Sequence, residues 1–206
     1  MNTLVFKSDE WATAIVSQMR KDVASGISHI LLPAGASAQP VFQIFRSFSQ
    51  LDFEYFAHVK WYSIDDVNQI FEKFFRDELP KNFLQNFSLA SQINVEHFDY
   101  AHASAYLGVG LNGHVAFHEP EFLNSEFLNS CVKLEASTYK NLGITDSPWA
   151  FTLGLGFFKK LRYLRVLMRG TSKREIWNDL KNSKALPITR LKTHSNIVFF
   201  LSSEVV

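Results

Sequence analysis

Tyr106-Leu-Gly-Val-Gly-Leu-Asn-Gly-His-Val-Ala-Phe-His-Glu-Pro120 is the stretch whose reading decides the fold. An apolar strand, Ala103 to Val109, runs into a loop punctuated by Gly108, Gly110 and Gly113, and His114 and Glu119 emerge from that loop before Pro120 stops the run. Glycines at the end of a buried strand let the backbone turn sharply and approach a ligand closely. In open α/β sheets ligands sit at the carboxyl ends of the strands. His114 and Glu119 therefore stand where chemistry happens, although a glycine-rich strand end with one histidine is also an ordinary feature of α/β folds.

Working outward, strands and helices alternate. Residues 8–24 carry Ala12, Ile15, Val16, Met19 and Val23 at helical spacing, with Ser8 as the expected cap, Asp9 and Glu10 at the positive end and Gly26 as the stop. Residues 28–32 read as a short strand, followed by Pro33-Ala-Gly-Ala-Ser37 and a helix over about 40–48. Residues 58–64 form the next strand, which ends in Asp65-Asp66 and leads to a helix over about 68–77. Residues 80–99 read as irregular. Residues 131–134 suit a strand, as do 161–168, which precede a helix running to about Lys181 and a last strand. This order predicts right-handed βαβ units: an α/β fold of three layers, with a Rossmann-like, open, mostly parallel sheet and helices on both faces. A chain of 206 residues suits one domain spanning 1–206.

The composition, 47% hydrophobic and 20% charged, is that of a globular protein. The 20 phenylalanines imply either an aromatic core or a sticky surface. A net charge of +1 argues against a nucleic-acid partner, which would require a basic stripe. With Cys131 as the single cysteine there is no intramolecular disulfide, and its place in an apolar run suggests a core position. No segment has the apolar length of a signal peptide or membrane span, so no membrane association and a cytoplasmic location are expected.

Two further loops carry candidates. Pro33–Ser37 lies between a strand and a helix, where backbone N–H groups suit an anion, as they also suit an ordinary turn. Lys173 follows Thr171 and Ser172, either of which can cap the next helix. A lysine in a first helical turn opposes the helix dipole, which makes an anionic partner plausible beside the plainer reading of a solvated surface lysine. Adjacent acids such as Asp65 and Asp66 are commonly solvated turn residues. His194 suits a structural role.

The run Gly108 to Pro120 resembles the signature of the glucosamine-6-phosphate deaminase (isomerase) family, Gly-x-Gly-x-Asp-Gly-His-Ile-Ala-Phe-Asn-Glu-Pro, with Asn112 where that family has Asp. The related 6-phosphogluconolactonases share the Gly-His half without the continuation to Pro120. Pro33–Ser37 resembles the family's phosphate loop Pro-Thr-Gly-Gly-Thr-Pro, with Ala36 and Ala38 replacing Gly and Pro. Asp65-Asp66 stands at its Asp-Glu pair, Arg169–Glu175 resembles Leu-Gly-Ser-x-Lys-Ala, and Leu186–His194 resembles Leu-Pro-Ala-Ser-x-Leu-Gln-x-His. Lys140 lies near the family's phosphate-contacting Arg, and Ser202 replaces an Asp. The family's Ser-Tyr pair is missing and residues 80–99 are shorter than its lid.

The resemblance implies aldose–ketose isomerisation of an amino-sugar phosphate with release of ammonia. His114 would open the ring, Glu119 would orient or charge-tune it, and Asp65 would take the proton from C2. Asn112 would accept a proton from the imidazole without stabilising its cation by charge, so an Asp there would support proton transfer better and the reaction here would be slow. Gly35, Ala36, Ser37 and Lys173 would hold the phosphate. No cofactor and no metal are implied, and self-association into a homo-oligomer stays open. A lactone hydrolase in which His114 activates water, and a non-catalytic sugar-phosphate binder, are the alternatives.

Overall fold

The structure, a computed structural model, describes residues 2–67, 69–143 and 149–206. Its strands are β1 (Asn2–Phe6), β2 (His29–Leu32), β3 (Lys60–Ser63), β4 (Asp65–Asp66), β5 (Phe87–Ser88), β6 (Ala103–Gly108), β7 (Asn129–Lys133), β8 (Trp149–Leu153), β9 (Tyr163–Met168) and β10 (Ile197–Ser202). Seven of them form a sheet in the order β1-β10-β9-β6-β2-β3-β5, with every pairing parallel. From β2 the chain winds outward through β3 to β5. From β6 it winds the other way through β9 to β10. The reversal lies between the neighbours β2 and β6, the position at which doubly wound sheets bind ligands.

The helices are α1 (Trp11–Ala24), α2 (Gln39–Arg46), α3 (Gln50–Tyr55), α4 (Ile70–Glu78), α5 (Lys81–Leu84), α6 (Ala136–Asn141), α7 (Leu155–Lys160) and α8 (Arg174–Lys181). The sheet's side chains alternate between two cores, as strand geometry requires. Ile30 and Leu32 join Trp11, Ile15, Val41, Phe42 and Phe45 on the face covered by α1 and α2, while Leu31 joins Leu155, Phe158, Trp177 and Leu180 on the face covered by α7 and α8. The fold is thus the three-layer α/β sandwich expected from the alternation of elements. The phenylalanines are largely core: Phe45, Phe56 and Phe83 pack against Trp61, and Phe48 packs against all three.

One buried polar network ties the layers together. Arg165 Nη2 of β9 donates to Asp22 Oδ1 of α1 at 2.6 Å, and Tyr106 of β6 donates to Asp22 Oδ2 at 2.8 Å. Ser104 and Gln18 supply further donors to the same carboxylate. A buried ion pair is tolerable only when its remaining hydrogen-bonding capacity is filled in this way.

Several local expectations give way. β1 carries no continuous apolar run, and it adds an edge strand beside β10. Residues 7–10 then form the turn from β1 into α1, so the helix starts at Trp11 without a side-chain cap. The Ser8 hydroxyl is buried with no partner among the described residues. The helix expected over 68–77 runs Ile70–Glu78, and Asn68 lies outside the described residues. The irregular 80–99 segment contains α5 and β5.

Asp65 and Asp66 do not merely end β3. They begin a second sheet, β4-β8-β7, which is antiparallel. Cys131 on its edge strand β7 is exposed, not core. Val132 is the residue of that strand that points inward, and a period of two turns Cys131 outward. Thr171 and Ser172 form no side-chain cap either. Residues Thr171–Lys173 make a 3₁₀ turn, so Lys173 precedes α8 and is not inside its first turn. Among the described residues no helix is long and apolar enough to cross a membrane.

Candidate functional site

The carboxyl ends of the neighbouring strands β9, β6, β2 and β3 surround a cavity of about 370 Å³. Four connections build it. Residues Pro33–Ser37 follow β2, Ile64 and Asp65 follow β3, Gly108–Leu111 with His114, Ala116 and Phe117 follow β6, and Lys173 follows β9. Thr138 and Leu142, from α6 and just beyond it, close the side.

The β2 loop presents backbone to the cavity. Gly35 has φ 93°, in the left-handed region, and the N–H groups of Ala36 and Ser37 find no acceptor among the described residues. Unpaired N–H groups ahead of a helix form an anion-binding concavity. Lys173 faces the same space. Its Nζ donates to the carbonyl of Val109 at 2.6 Å, and burial lowers its pKa. A half-buried ammonium with one fixed acceptor has donors left over for an anion.

Asp65 and Asp66 face opposite ways. Asp65 is buried on the cavity wall, and its Oδ1 has no hydrogen-bond partner among the described residues. Burial, with Asp66 beside it, holds its pKa well above the usual carboxylate range. Asp66 accepts from the Ser91 hydroxyl at 3.2 Å and does not line the cavity. Alternation along an extended backbone accounts for the difference.

His114 reaches the cavity from the glycine loop with its side chain 23% exposed. Behind it lies Glu119, whose side chain is wholly buried. His114 Nδ1 stands 3.3 Å from Glu119 Oε2, an ion-pair contact off the line of a good hydrogen bond. Glu119 is held by two donors: Asn112 Nδ2 to Oε2 and Thr138 Oγ1 to Oε1, both at 2.8 Å. Burial alone would raise the Glu119 pKa. The His114 ring, the Asn112 amide and the Thr138 hydroxyl outweigh it and leave the carboxylate below its ordinary value.

The Asn112 oxygen accepts the backbone N–H of His114 at 3.2 Å. This corrects one expectation: the amide oxygen does not receive a proton from the imidazole ring. One end of Asn112 fixes the loop and the other fixes Glu119, and Glu119 is the carboxylate that meets the ring.

Gly110 is the floor under this arrangement. A Cβ at Gly110 would come within 2.3–2.5 Å of three imidazole atoms of His114. Gly110→Ala should therefore displace the ring while leaving the backbone unstrained. A misplacement of about 1 Å can cost about a hundredfold in rate. We expect a loss of that order in turnover with a melting temperature near that of the wild type. An unaltered rate would mean that the ring position does not matter.

The structure thus brings Gly35, Ala36, Ser37, Asp65, His114 and Lys173 around one cavity, with Asn112 and Glu119 directly behind His114. Lys140 is exposed and does not line it. His194 bonds the Leu161 carbonyl at 2.7 Å through Nε2, and Ser202 accepts from the backbone of Gly170, both outside the cavity. His118, where the resembling motif has Asn, is buried, with Nε2 donating to the Phe122 carbonyl at 2.6 Å and its ring stacked on Phe127. It fastens the segment after Glu119. Thr138 had no signal in the sequence, because its bond to Glu119 depends on which distant segments meet. Among the described residues no group of His, Cys, Asp and Glu side chains has the arrangement of a metal site.

No family model matches the chain. A glucosamine-6-phosphate deaminase of Malacoplasma penetrans is 29% identical over 168 residues, which cover 75% of this chain and 67% of that protein. One from Clostridium beijerinckii is 33% identical over 107 residues, covering 48% and 44%. The chain therefore spans about two thirds of the first of these relatives and less than half of the second. Among solved structures, a monomeric glucosamine-6-phosphate deaminase superposes with a TM-score of 0.82 at 15% identity, covering 100% of this chain and 98% of that one. The 6-phosphogluconolactonase of Thermotoga maritima superposes with a TM-score of 0.72 at 15% identity, covering 98% and 99%. In sequence the chain is similar to glucosamine-6-phosphate deaminases, and it shares its fold with one of them and with 6-phosphogluconolactonases.

Proposed function

We propose that the chain is a sugar-phosphate enzyme that isomerises a hexosamine 6-phosphate to the ketose phosphate and releases ammonia. The observation that carries this reading is the pairing of two proton-transfer groups on one cavity wall. His114 is backed by a buried carboxylate, and Asp65 is a separate buried acid with an unoccupied oxygen. Ring opening and proton transfer at carbon need two groups with different duties. His114 would move a proton between the anomeric hydroxyl and the ring oxygen, with Glu119 stabilising the imidazolium that forms. Asp65 would then take the C2 proton, giving an enolamine. Return of a proton to C1 leaves an imine at C2, which water hydrolyses to the ketone and ammonia. Lys173 and the backbone of Gly35–Ser37 would hold the phosphate, and that remote binding energy would align C1 and C2.

Hydrolysis of a phosphorylated lactone, the activity named for the lactonase relatives, asks for one base to activate water and leaves the Asp65 carboxylate without a task. The discriminating experiment is an assay of ammonia and ketose formation over a panel of hexosamine 6-phosphates, run beside 6-phosphogluconolactone hydrolysis. Ammonia release supports the isomerase. Lactone hydrolysis alone replaces it with the hydrolase. Silence on every substrate, with phosphate-dependent thermal stabilisation, leaves a binder.

Lys173→Ala should weaken affinity for the sugar phosphate by the value of a charged hydrogen bond, about 1.5–3 kcal/mol. Titration calorimetry checks this, and an unchanged dissociation constant would remove Lys173 from the site.

A further inference from the structure

A second cavity of about 350 Å³ adjoins the first. The two share Ala36, Ser37, Leu111 and Lys173 as walls. The second adds Arg169, Gly170, Ser172 and Glu204. The anion loop and Lys173 therefore do not close the end of the pocket. They form a partition reachable from both sides.

The charge count favours a second cation there. A phosphate monoester carries about −1.5 to −2 near neutral pH. Lys173 offers one positive charge, and one of its three donors is already committed to Val109. Among the described residues lining the two cavities, Arg169 is the one other Lys or Arg side chain. It is exposed, directly follows β9 four residues before Lys173, and makes no hydrogen bond or ion pair with any described residue. Glu204 lines the same groove, but no ion pair joins it to Arg169. A guanidinium presents a planar fork of donors suited to two phosphate oxygens at once.

We propose that Arg169 is the second phosphate ligand of this site, gripping from the outer groove an anion that Lys173 and the Gly35–Ser37 backbone hold from within. This rests on the sugar-phosphate reading for the nature of the substrate, though not for the presence of an anion site. Arg169 thereby selects phosphorylated over free sugars and has no part in proton transfer.

The test measures dissociation constants for inorganic phosphate and for glucosamine 6-phosphate on the wild type and on Arg169→Ala, Arg169→Lys, Glu204→Gln and Lys173→Ala. Loss of a charged hydrogen bond corresponds to about tenfold or more. Arg169→Ala should weaken both ligands by that factor and lower kcat/KM, chiefly through a higher KM. Arg169→Lys should recover part of the affinity, and Glu204→Gln should tighten phosphate by removing a competing anion. Weakening by Lys173→Ala with no effect of Arg169→Ala would overturn the proposal and leave the phosphate site standing. Indifference of phosphate binding to both, or no phosphate binding by the wild type, would overturn the proposal together with the phosphate-site reading.

Discussion

Asp65→Asn should lower turnover by about 10²–10⁴-fold, the usual contribution of a positioned general base, and should at the same time stabilise the fold at neutral pH. The two effects have one cause. Asp65 is buried, its Oδ1 lacks a partner among the described residues, and its pKa is raised by burial and by Asp66. A raised folded-state pKa means that the folded protein holds the proton more tightly than the unfolded chain does. Wild-type stability is then fully present below the unfolded carboxylate's pKa, about 3.9, and is lost as pH rises from there through the folded value. Asparagine does not titrate. The stabilisation by Asp65→Asn should therefore be small in acid and grow as pH rises toward neutrality, read as a difference in melting temperature across a pH series.

The same shift places the acid limb of the wild-type rate profile above the ordinary carboxylate range, because the base must be ionised to act. Solvent deuterium exchange at C2 separates the two acids. Asp65→Asn should lose exchange while Asp66→Asn, whose side chain is turned toward Ser91, keeps most of it. Exchange that survives Asp65→Asn and fails with Asp66→Asn would reverse the assignment.

The parallel sheet was legible because its inner strands are mainly apolar and bounded by turn residues, as in Ile30–Leu32 and Ala103–Leu107, both buried on two faces; Ser104 and Arg165 are the polar exceptions, and both bond Asp22. The strands without such a signal lie at the edge of this sheet or in the second, antiparallel sheet. β1 is an edge strand with Leu4 and Val5 exposed, so it carries no continuous apolar signal. β4 is two charged residues whose strand character comes wholly from pairing with β8.

The site divides in the same way. His114, Gly110 and Gly113 announce themselves in one short segment. The link from Glu119 to Thr138 spans 19 residues, and the groove holding Arg169 and Glu204 joins the ends of two strands. Neither spacing has a pattern that sequence could reveal. Asn112 misled for a different reason. Its side chain bonds two groups within its own loop, and the direction of an amide is decided by its neighbours, not by its resemblance to a carboxylate.

Glu119→Gln should reduce kcat by about a thousandfold, approaching the ~10⁴-fold seen when the orienting Asp of a serine-protease triad becomes Asn. The substitution preserves shape. A glutamine oxygen can still accept from Asn112 Nδ2, and its amide can donate to the Thr138 oxygen, so the buried position stays satisfied. What is lost is the negative charge 3.3 Å from His114 Nδ1. In a buried site that charge is poorly screened, so it stabilises the imidazolium formed during proton transfer far more than it would in water.

KM for glucosamine 6-phosphate should change little, because Glu119 does not line the cavity. Asn112→Asp is the informative contrast. It would replace the donor on Glu119 with a second carboxylate at about the present 2.8 Å separation. Two acids that close share one proton near neutral pH, so the charge facing His114 would stay at one and turnover should not rise. Steady-state kinetics on both variants decide the matter. A large gain from Asn112→Asp would show that Asn112 limits proton transfer, and a near-normal kcat in Glu119→Gln would show that the imidazole works without its buried partner.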